Sequence, residues 1–259
     1  MIKEHDLFGV ETDKIQIAIE RLKTFEPPEG YYLAFSGGKD SVVIKALADI
    51  AGVKYDAHYN MTTIDPPELV QFIKSEHPDV ELVLPEEPFL RQLETRGFPL
   101  RHRRWCCEEY KERGGLGRIV VTGIRWAEST NRASRKMVES CYKDTTKRYI
   151  NPVIDWSDGE VWEFIKSYNI PYCELYDQGF KRIGCLFCPF ASTKQRKYEV
   201  FRYPKIASAF IRAFRQLYKN RRKVNNPSVD RWKDGDAMFT WWLGAGKSKQ
   251  HPDQLALFE

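Results

Sequence analysis

Apolar positions along this chain recur with two periods, and the changes of period divide it into elements. Ile15, Ala18, Ile19 and Leu22 fall at helical spacing behind Thr12, a candidate N-cap, which predicts a helix over residues 12–26. EPPEG breaks it, and YYLAF (31–35) is a short aromatic-rich apolar run of the kind that forms a buried strand. From Asp40 the pattern DSVVIKALA turns helical and stops at Gly52. Residues 54–60 read as a second strand. Asp65-Pro66-Pro67-Glu68 then combines an acidic cap, proline in a first turn and Glu three residues after the cap, predicting a helix to about Glu76. Residues 81–84 read as a third strand, 89–96 as a short helix and 118–122 as a fourth strand ending at Gly123. Ser157 to Glu160 is a capping box for a helix over 161–168. After Pro189 the pattern is helical over 194–223, with Lys and Arg interleaved with Tyr198, Phe201, Tyr203, Phe210, Phe214 and Tyr218. Asn225-Asn226-Pro227 breaks it. A further apolar stretch over 235–243 holds Trp241-Trp242, and a polar tail follows.

Strands that alternate with helices predict an α/β fold with a parallel sheet, and ligands of such sheets bind at the carboxyl ends of strands. The loop after the first strand and the segment Asn60-Met61-Thr62-Thr63 after the second would share that edge, which makes Thr63 a candidate binding residue. With 259 residues and 42% hydrophobic content the chain can build one large α/β domain plus an appendage. No apolar run approaches membrane-span length and MIKEHDLFG is not a signal peptide, so a cytoplasmic protein without membrane contact is expected. A net charge of +5 fits nucleotides or nucleic acid as partners. Six cysteines in such a chain point to ligands, nucleophiles or core residues rather than disulfides.

The loop is SGGKDS, residues 36–41, between an apolar strand and a helix. Gly37 and Gly38 let the backbone approach an anion closely, and the amides and dipole of the helix start favour a phosphate there. Ser36 and Ser41 add hydroxyls and Lys39 a point charge. Asp40, a carboxylate beside a phosphate, makes chemical sense if Mg²⁺ lies between them. The spacing is neither that of a Walker A loop nor GxGxxG. It resembles the PP-loop of the adenine nucleotide α-hydrolase superfamily, whose members act at the α-phosphate of ATP or of a sulfated adenine nucleotide.

Cys106-Cys107 lies in RHRRWCCEEYK and Cys185-x-x-Cys188 in IGCLFCPF. Four thiolates brought together by folding suit a cubane iron–sulfur cluster or a structural zinc, although adjacent ligands are unusual for zinc. Arg101, Arg103 and Arg104 would offset the negative charge. Cys141 and Cys173 stand apart and read as core residues, with Cys173 close in sequence to the CxxC.

Five motifs occur in order: SGGKDS (36–41), the Cys pair (106–107), GIRWAESTNR (123–132), NPVIDWSDGEVWEFI (151–165) and PYCELYDQGFKRIGCLFCP (171–189). Together they resemble the phosphoadenosine phosphosulfate (PAPS) reductase family over about residues 30–190. The resemblance implies a Rossmann-like, doubly wound parallel sheet of the α-hydrolase type. It implies an adenine nucleotide on SGGKDS, basic contact from Arg125 with Glu128 and Arg132 nearby, and a 4Fe–4S cluster on Cys106, Cys107, Cys185 and Cys188. That cysteine pattern is similar to the branch that includes adenylylsulfate (APS) reductases and the ATP-pyrophosphatase subunit of DNA phosphorothioation systems. The expected partition is an N-terminal helical segment (1–30), a nucleotide-binding and cluster domain (31–190), a basic helical extension (191–243) and a flexible tail (244–259).

Sulfonucleotide reductases of the family use a cysteine in a C-terminal ECG(L/I)H segment, whereas this tail reads KQHPDQLALFE with no cysteine after Cys188. The preferred expectation is therefore ATP chemistry: an adenylyl- or sulfur-transferring enzyme with ATP and Mg²⁺, in which Lys39, Asp40 and Arg125 are catalytic. A sulfur-donor protein and a nucleic-acid acceptor would be its partners. Sulfonucleotide reduction with release of sulfite is the alternative. A third reading is a non-catalytic nucleic-acid module built on residues 194–223. The tail adds Gln254, Leu255, Leu257 and Phe258, a QLxLF peptide similar to those that dock bacterial polymerases and repair proteins on the sliding clamp. The other expectation for it is that its apolar residues fold back on their own domain near Trp241-Trp242.

Overall fold

The computed structural model describes residues 2–5, 11–142 and 144–244. The clamp-like peptide at Gln254, Leu255, Leu257 and Phe258 lies outside them. The described residues form two compact units. The first draws on Met1–Met61, Pro66–Val83 and Arg113–Gly184, the second on Thr62–Asp65, Leu84–Glu112 and Cys185–Glu259. This division cuts across the expected 31–190 domain, because the segments bearing the four clustered cysteines pack with the C-terminal helices. Among the described residues no helix is long and apolar enough to cross a membrane.

The first unit opens with β1 (Lys3–His5) paired antiparallel to β2 (Glu11–Asp13), then α1 (Lys14–Thr24). The cap of α1 is Asp13 rather than Thr12: its carboxylate accepts from the Ile15 amide at 2.9 Å. The expected apolar stripe, Ile15, Ala18, Ile19 and Leu22, is buried, and α1 packs on α2 (Lys39–Ala51) within this unit. α2 ends at Gly52 in the left-handed conformation, the usual glycine helix stop.

Six strands form the main sheet: β3 (Tyr31–Ala34), β4 (Tyr55–Asn60), β5 (Glu81–Val83), β6 (Ile119–Val121), β7 (Val138–Ser140) and β8 (Arg148–Ile150), in the order β5-β4-β3-β6-β8-β7. Leu33 pairs with Ala57 on one side and Val121 on the other, both parallel. Parallel pairing extends through β4–β5 and β6–β8, but β7 runs antiparallel to β8. The wholly parallel expectation is corrected there for a geometric reason. Only residues 141–147 join β7 to β8, too few for the crossover that a parallel pair needs. The chain order moves outward from β3 through β4 and β5, then returns to β6 on its other side. The carboxyl ends of β3 and β6 thus form the switch point at which such sheets bind ligands.

α3 (Pro67–Glu76) starts behind Pro66, not Asp65. Asp65 belongs to the second unit, where its carboxylate accepts from the amide and hydroxyl of Thr62, both at 2.7 Å. α7 (Asp158–Ser167) has the predicted capping box between Ser157 and Glu160, and packs against α2.

The second unit holds only helices and loops among its described residues: α4 (Phe89–Arg96), α5 (Trp105–Tyr110), α8 (Thr193–Arg202), α9 (Pro204–Lys223) and α10 (Gly235–Trp242). A short α6 (Thr130–Ala133) belongs to the first unit. The expected single helix over 194–223 is two, because the restriction a proline places on its predecessor breaks the helix at Tyr203 and Pro204 then opens α9. The core of this unit is aromatic: Phe187, Phe210, Phe214, Phe239 and Trp242 are all buried. Phe187 meets Phe210 edge-on at 4.8 Å, and Phe210 stacks on Trp242 at 5.8 Å. The Trp242 indole donates to the Pro99 carbonyl at 2.7 Å, so burial leaves that polar atom satisfied.

Arg21 fastens α1 to the 152–155 turn. Its Nη1 and Nη2 donate to Asp155 Oδ1 and Oδ2 at 2.8 and 2.9 Å, and Nη1 also donates to the Pro152 carbonyl at 2.8 Å. Burial alone would raise the Asp155 carboxyl, but hydrogen bonds from Arg21 outweigh it and hold the value below normal. The resulting stabilisation is full above the unfolded value near about 3.9 and is lost as pH falls through the lower folded value. Asp155→Asn should therefore cost about 1.5–3 kcal/mol in urea unfolding at pH 7. The gap from wild type should begin to narrow below about pH 4 and close once the pH has passed below the lower folded value. A gap unchanged down to acid pH would show that the pair contributes nothing through its charge.

Candidate functional site

The phosphate-type loop follows β3. Gly37 has φ +68, and a Cβ there would come within 2.5 Å of Leu69 Cδ1 and 3.0 Å of Ile73 Cδ1, so both backbone and space demand glycine. Gly38 is the N-cap of α2 and offers no side chain to its amides. The Ser36 and Ser41 hydroxyls lie 3.1 Å apart, and Ser41 also donates to the Gly38 carbonyl at 2.8 Å. Tyr176, in a short turn over residues 174–176, accepts from the Lys39 amide at 2.8 Å. Burial pushes the Tyr176 phenol up, and the carboxylates of Asp40 and Asp158 add to this, so it is a neutral hydroxyl resting on the first amide of α2.

Arg125 follows β6 and is only 1% exposed. Its Nε donates to Asp40 Oδ1 at 2.7 Å, Nη1 to the Trp156 carbonyl at 3.1 Å and Nη2 to Asp158 Oδ1 at 3.0 Å. Lys39 Nζ lies 2.9 Å from Asp158 Oδ1 and 3.2 Å from Asp40 Oδ2. Two cations and two carboxylates thus close a network in which every charge has an opposite partner. Burial raises the Asp158 carboxyl, but Lys39 and then Arg125 pull it down, and the balance lies below normal. The close approach depends on Gly123, where a Cβ would meet the Asp40 backbone at 2.9 Å.

The structure therefore brings Ser36, Gly37, Gly38, Lys39, Asp40, Ser41 and Arg125 together. Glu128 and Arg132 have other work: Glu128 accepts from the Arg125 amide at 3.0 Å, and Arg132 pairs with Glu128. They brace the Arg125 turn. Thr63 lies in the second unit, at φ +62, and its hydroxyl accepts from the Phe89 amide at 3.0 Å at the start of α4. Asp158 and Tyr176 were not singled out from sequence. The capping box placed Asp158 at a helix start, but nothing local said that it would meet Lys39. A separate cavity of about 760 Å³ in this unit is lined by residues that include Glu68, Glu76, Glu174, Phe72 and Tyr172, and it brings no cation to a phosphate.

All four clustered cysteines belong to the second unit. Cys106 and Cys107 sit on α5, and Cys185 and Cys188 lie in the loop before α8. They form two hydrogen-bonded pairs, Cys106 with Cys107 and Cys185 with Cys188, close enough for charge on one pair to act on the other. The hydrogen bond to Cys107 and then burial push the Cys106 thiol up. The same bond, with Lys111 and Arg104, holds Cys107 down against burial. Arg104 Nη1 lies 4.0 Å from Cys107 Sγ. The hydrogen bond to Cys188 and then burial push the Cys185 thiol well up, and the electrostatic pull of Cys185 raises the Lys111 ammonium. The CxxC turn is shaped by Phe187 at φ +56, whose amide donates at 2.6 Å to Glu199, a carboxylate 2% exposed. Among the described residues no three His, Cys, Asp or Glu side chains are already closed into a metal-holding group. The donor set nevertheless suits a thiolate-bound cluster in kind: four sulfurs, with Lys111 and Arg104 to balance their charge. Lys111 and Glu199 escaped the sequence reading, since a lysine four residues past a cysteine and a glutamate in a basic helix carry no signal of their own. Cys173 is wholly buried in the first unit, and burial raises its thiol.

The phosphoadenosine phosphosulfate reductase domain matches residues 30–191. The chain belongs to the phosphoadenosine phosphosulfate reductase family. Within the family it is 30% identical over 200 residues to an adenosine 5'-phosphosulfate reductase of Staphylococcus epidermidis, covering 68% of this chain and 78% of that one. It is 34% identical over 173 residues to an uncharacterized protein of Methanocaldococcus jannaschii, covering 61% of this chain and 35% of that one. The chain spans between a third and a half of the length of the two M. jannaschii relatives it matches. The crystal structure of a PAPS reductase from Candida auris in a phosphate complex superposes with a TM-score of 0.51 at 19% identity, over 67% of this chain and 88% of that one. That likeness establishes the Rossmann-like fold.

Gly37 and Gly52 share φ +68, but nothing lies within 4 Å of a Cβ on Gly52. Gly52→Ala should cost only the left-handed strain, about 1–2 kcal/mol. Gly37→Ala should cost about 1–3 kcal/mol more through overpacking on Leu69 and Ile73. Thermal melts of the two variants test this, and equal losses would show that the loop gives way at Leu69.

Proposed function

We propose that this family member binds ATP on residues 36–41 and catalyses attack on its α-phosphorus. The observation that carries the reading is the buried Arg125 guanidinium, held with Lys39 beside the N-terminus of α2 at the sheet's switch point. The pyrophosphate would take the Gly38 amide, the hydroxyls of Ser36 and Ser41 and, by displacing the Tyr176 hydroxyl, the Lys39 amide. An acceptor oxygen forms a bond to the α-phosphorus as the bond to pyrophosphate breaks, leaving an adenylate on the acceptor. Lys39 and Arg125 face the developing negative charge. Both cations are neutralised by Asp40 and Asp158 in the ligand-free network, so an entering triphosphate must exchange partners with these carboxylates. Mg²⁺ bound to the triphosphate would supply the compensating charge, and Asp40 and Asp158 are the carboxylates that would hold it.

In the second unit, Cys106, Cys107, Cys185 and Cys188 would hold a 4Fe–4S cluster. Such a cluster supplies a redox-active centre that carries sulfide. Lys111, Arg104 and Glu199 keep the thiols charge-balanced and the CxxC turn in shape.

A second reading, sulfonucleotide reduction, is favoured by the name of the S. epidermidis relative. Against it, Cys173 is buried with its thiol raised, so it is not presented as a nucleophile. Incubation with ATP, APS or PAPS separates the readings. Pyrophosphate from ATP is the expected product, and thiol-dependent sulfite from APS or PAPS without any pyrophosphate from ATP would overturn the preference. Lys39→Ala and Arg125→Lys should each lower pyrophosphate release at least about tenfold, a loss of about 1.4 kcal/mol of transition-state stabilisation.

Anaerobically purified protein should be brown and contain about four irons per chain, the composition of a cubane cluster. Cys185→Ser should bleach it. Stoichiometric zinc without iron would exclude the cluster.

A further inference from the structure

The sequence from Thr193 to Lys223 holds eleven lysines and arginines and a single acidic residue, Glu199. That carboxylate is turned inward, 2% exposed and hydrogen-bonded to Phe187 and Gln195, so it neutralises nothing outside. The whole chain has a net charge of +5, so these two helices carry more positive charge than the protein has in total. On α9 some of this charge is used internally: Arg215 pairs with Asp236 at 2.6 Å and Arg222 with Asp230 at 2.9 Å. On α8 it is not. Lys194 and Lys197, and Lys205 at the start of α9, are exposed and have no ion-pair partner among the described residues.

The same face of α8 is aromatic. Lys194, Lys197, Tyr198 and Phe201 fall at i, i+3, i+4 and i+7, one stripe along the helix. Phe201 is 83% exposed and Tyr198 43%. An exposed Phe bracketed by lysines is a poor use of apolar surface unless something covers it. Stacking platforms with flanking cations are how single strands are bound without sequence readout: bases lie on the rings and phosphates meet the lysines. The stripe holds only two large apolar groups with a cation at each turn, so it lacks the broad apolar face by which amphipathic helices enter a membrane surface.

We propose that the exposed face of α8, formed by Lys194, Lys197, Tyr198 and Phe201, is a docking surface for single-stranded nucleic acid. The assignment rests on the second unit alone and stands whether or not the first unit acts on ATP.

The test is fluorescence anisotropy with labelled single-stranded DNA and RNA oligonucleotides of about 16 nucleotides, the upper site size of comparable modules. The full chain, Phe201→Ala and the double variant Lys194→Glu/Lys197→Glu are compared over a range of salt concentrations, with melting curves to confirm folding. Phe201→Ala should weaken binding about 5- to 150-fold, the value of one stacked base. It should leave binding of heparin, which has charge but no bases, unchanged. The double variant should weaken both ligands and lower the salt slope for the oligonucleotide by about 1.4, that of two phosphate contacts. Comparing DNA with RNA identifies the strand preferred. Wild-type affinity in Phe201→Ala, an unchanged salt slope in the double variant, or binding to anionic vesicles but not to oligonucleotides would each overturn the proposal. Pyrophosphate release from ATP without nucleic acid should be the same in Phe201→Ala as in wild type. Failure of the ATP reading would instead appear as no pyrophosphate from any form, with oligonucleotide binding intact.

Discussion

A guanidinium with 1% exposure cannot remain in a protein interior unless each of its faces meets an acceptor. Arg125 meets three, the carboxylates of Asp40 and Asp158 and the carbonyl of Trp156, on segments 85, 33 and 31 residues away. The demand for these partners holds the start of α2, the end of β6 and the start of α7 in one arrangement. It also sets the electrostatics: Lys39 joins the same carboxylates, and the cluster closes with no net charge. A neutral, fully paired network of this kind can be buried, because each charge is compensated within a few ångströms.

The second unit solves a different problem. Four thiols near one another repel as they ionise, and two short segments must be held while they do so. The aromatic core around Phe187, Phe210, Phe214 and Trp242 supplies the rigid base. Glu199 then reaches from α8 to the Phe187 amide and keeps that residue in a left-handed turn. The same carboxylate, by turning inward, leaves the outward face of α8 purely basic and aromatic. One side chain therefore shapes the cysteine loop and sets the surface charge of the helix that follows it.

Strand order explains why the glycine loop over residues 36–41 lies where it does. The sheet grows outward from β3 in one direction and resumes beside it in the other, so the carboxyl ends of β3 and β6 open a crevice between them. Gly37, Gly38 and Gly123 occur where backbones or side chains crowd that crevice.

Local physics was legible in the sequence. The apolar stripe of α1, the glycine stop of α2, the Ser157–Glu160 capping box and α4 depend on residues within a few positions of one another, and their patterns predicted them. The strand–loop–helix around SGGKDS was legible too, because an apolar run, two glycines and a helical period follow one another directly. The errors fell where the deciding contact was distant or a neighbouring group competed better. Asp13 displaced Thr12 as a cap, Asp65 turned back to Thr62, and Pro204 divided a helix whose apolar period alone continued. Only the tertiary structure could bring Asp158 and Tyr176 to Lys39, set Lys111 and Glu199 beside the cysteines and put Thr63 in the other unit. The physical reason is that hydrogen bonds and ion pairs act over a few ångströms of space, whereas periodicity reports only separations along the chain.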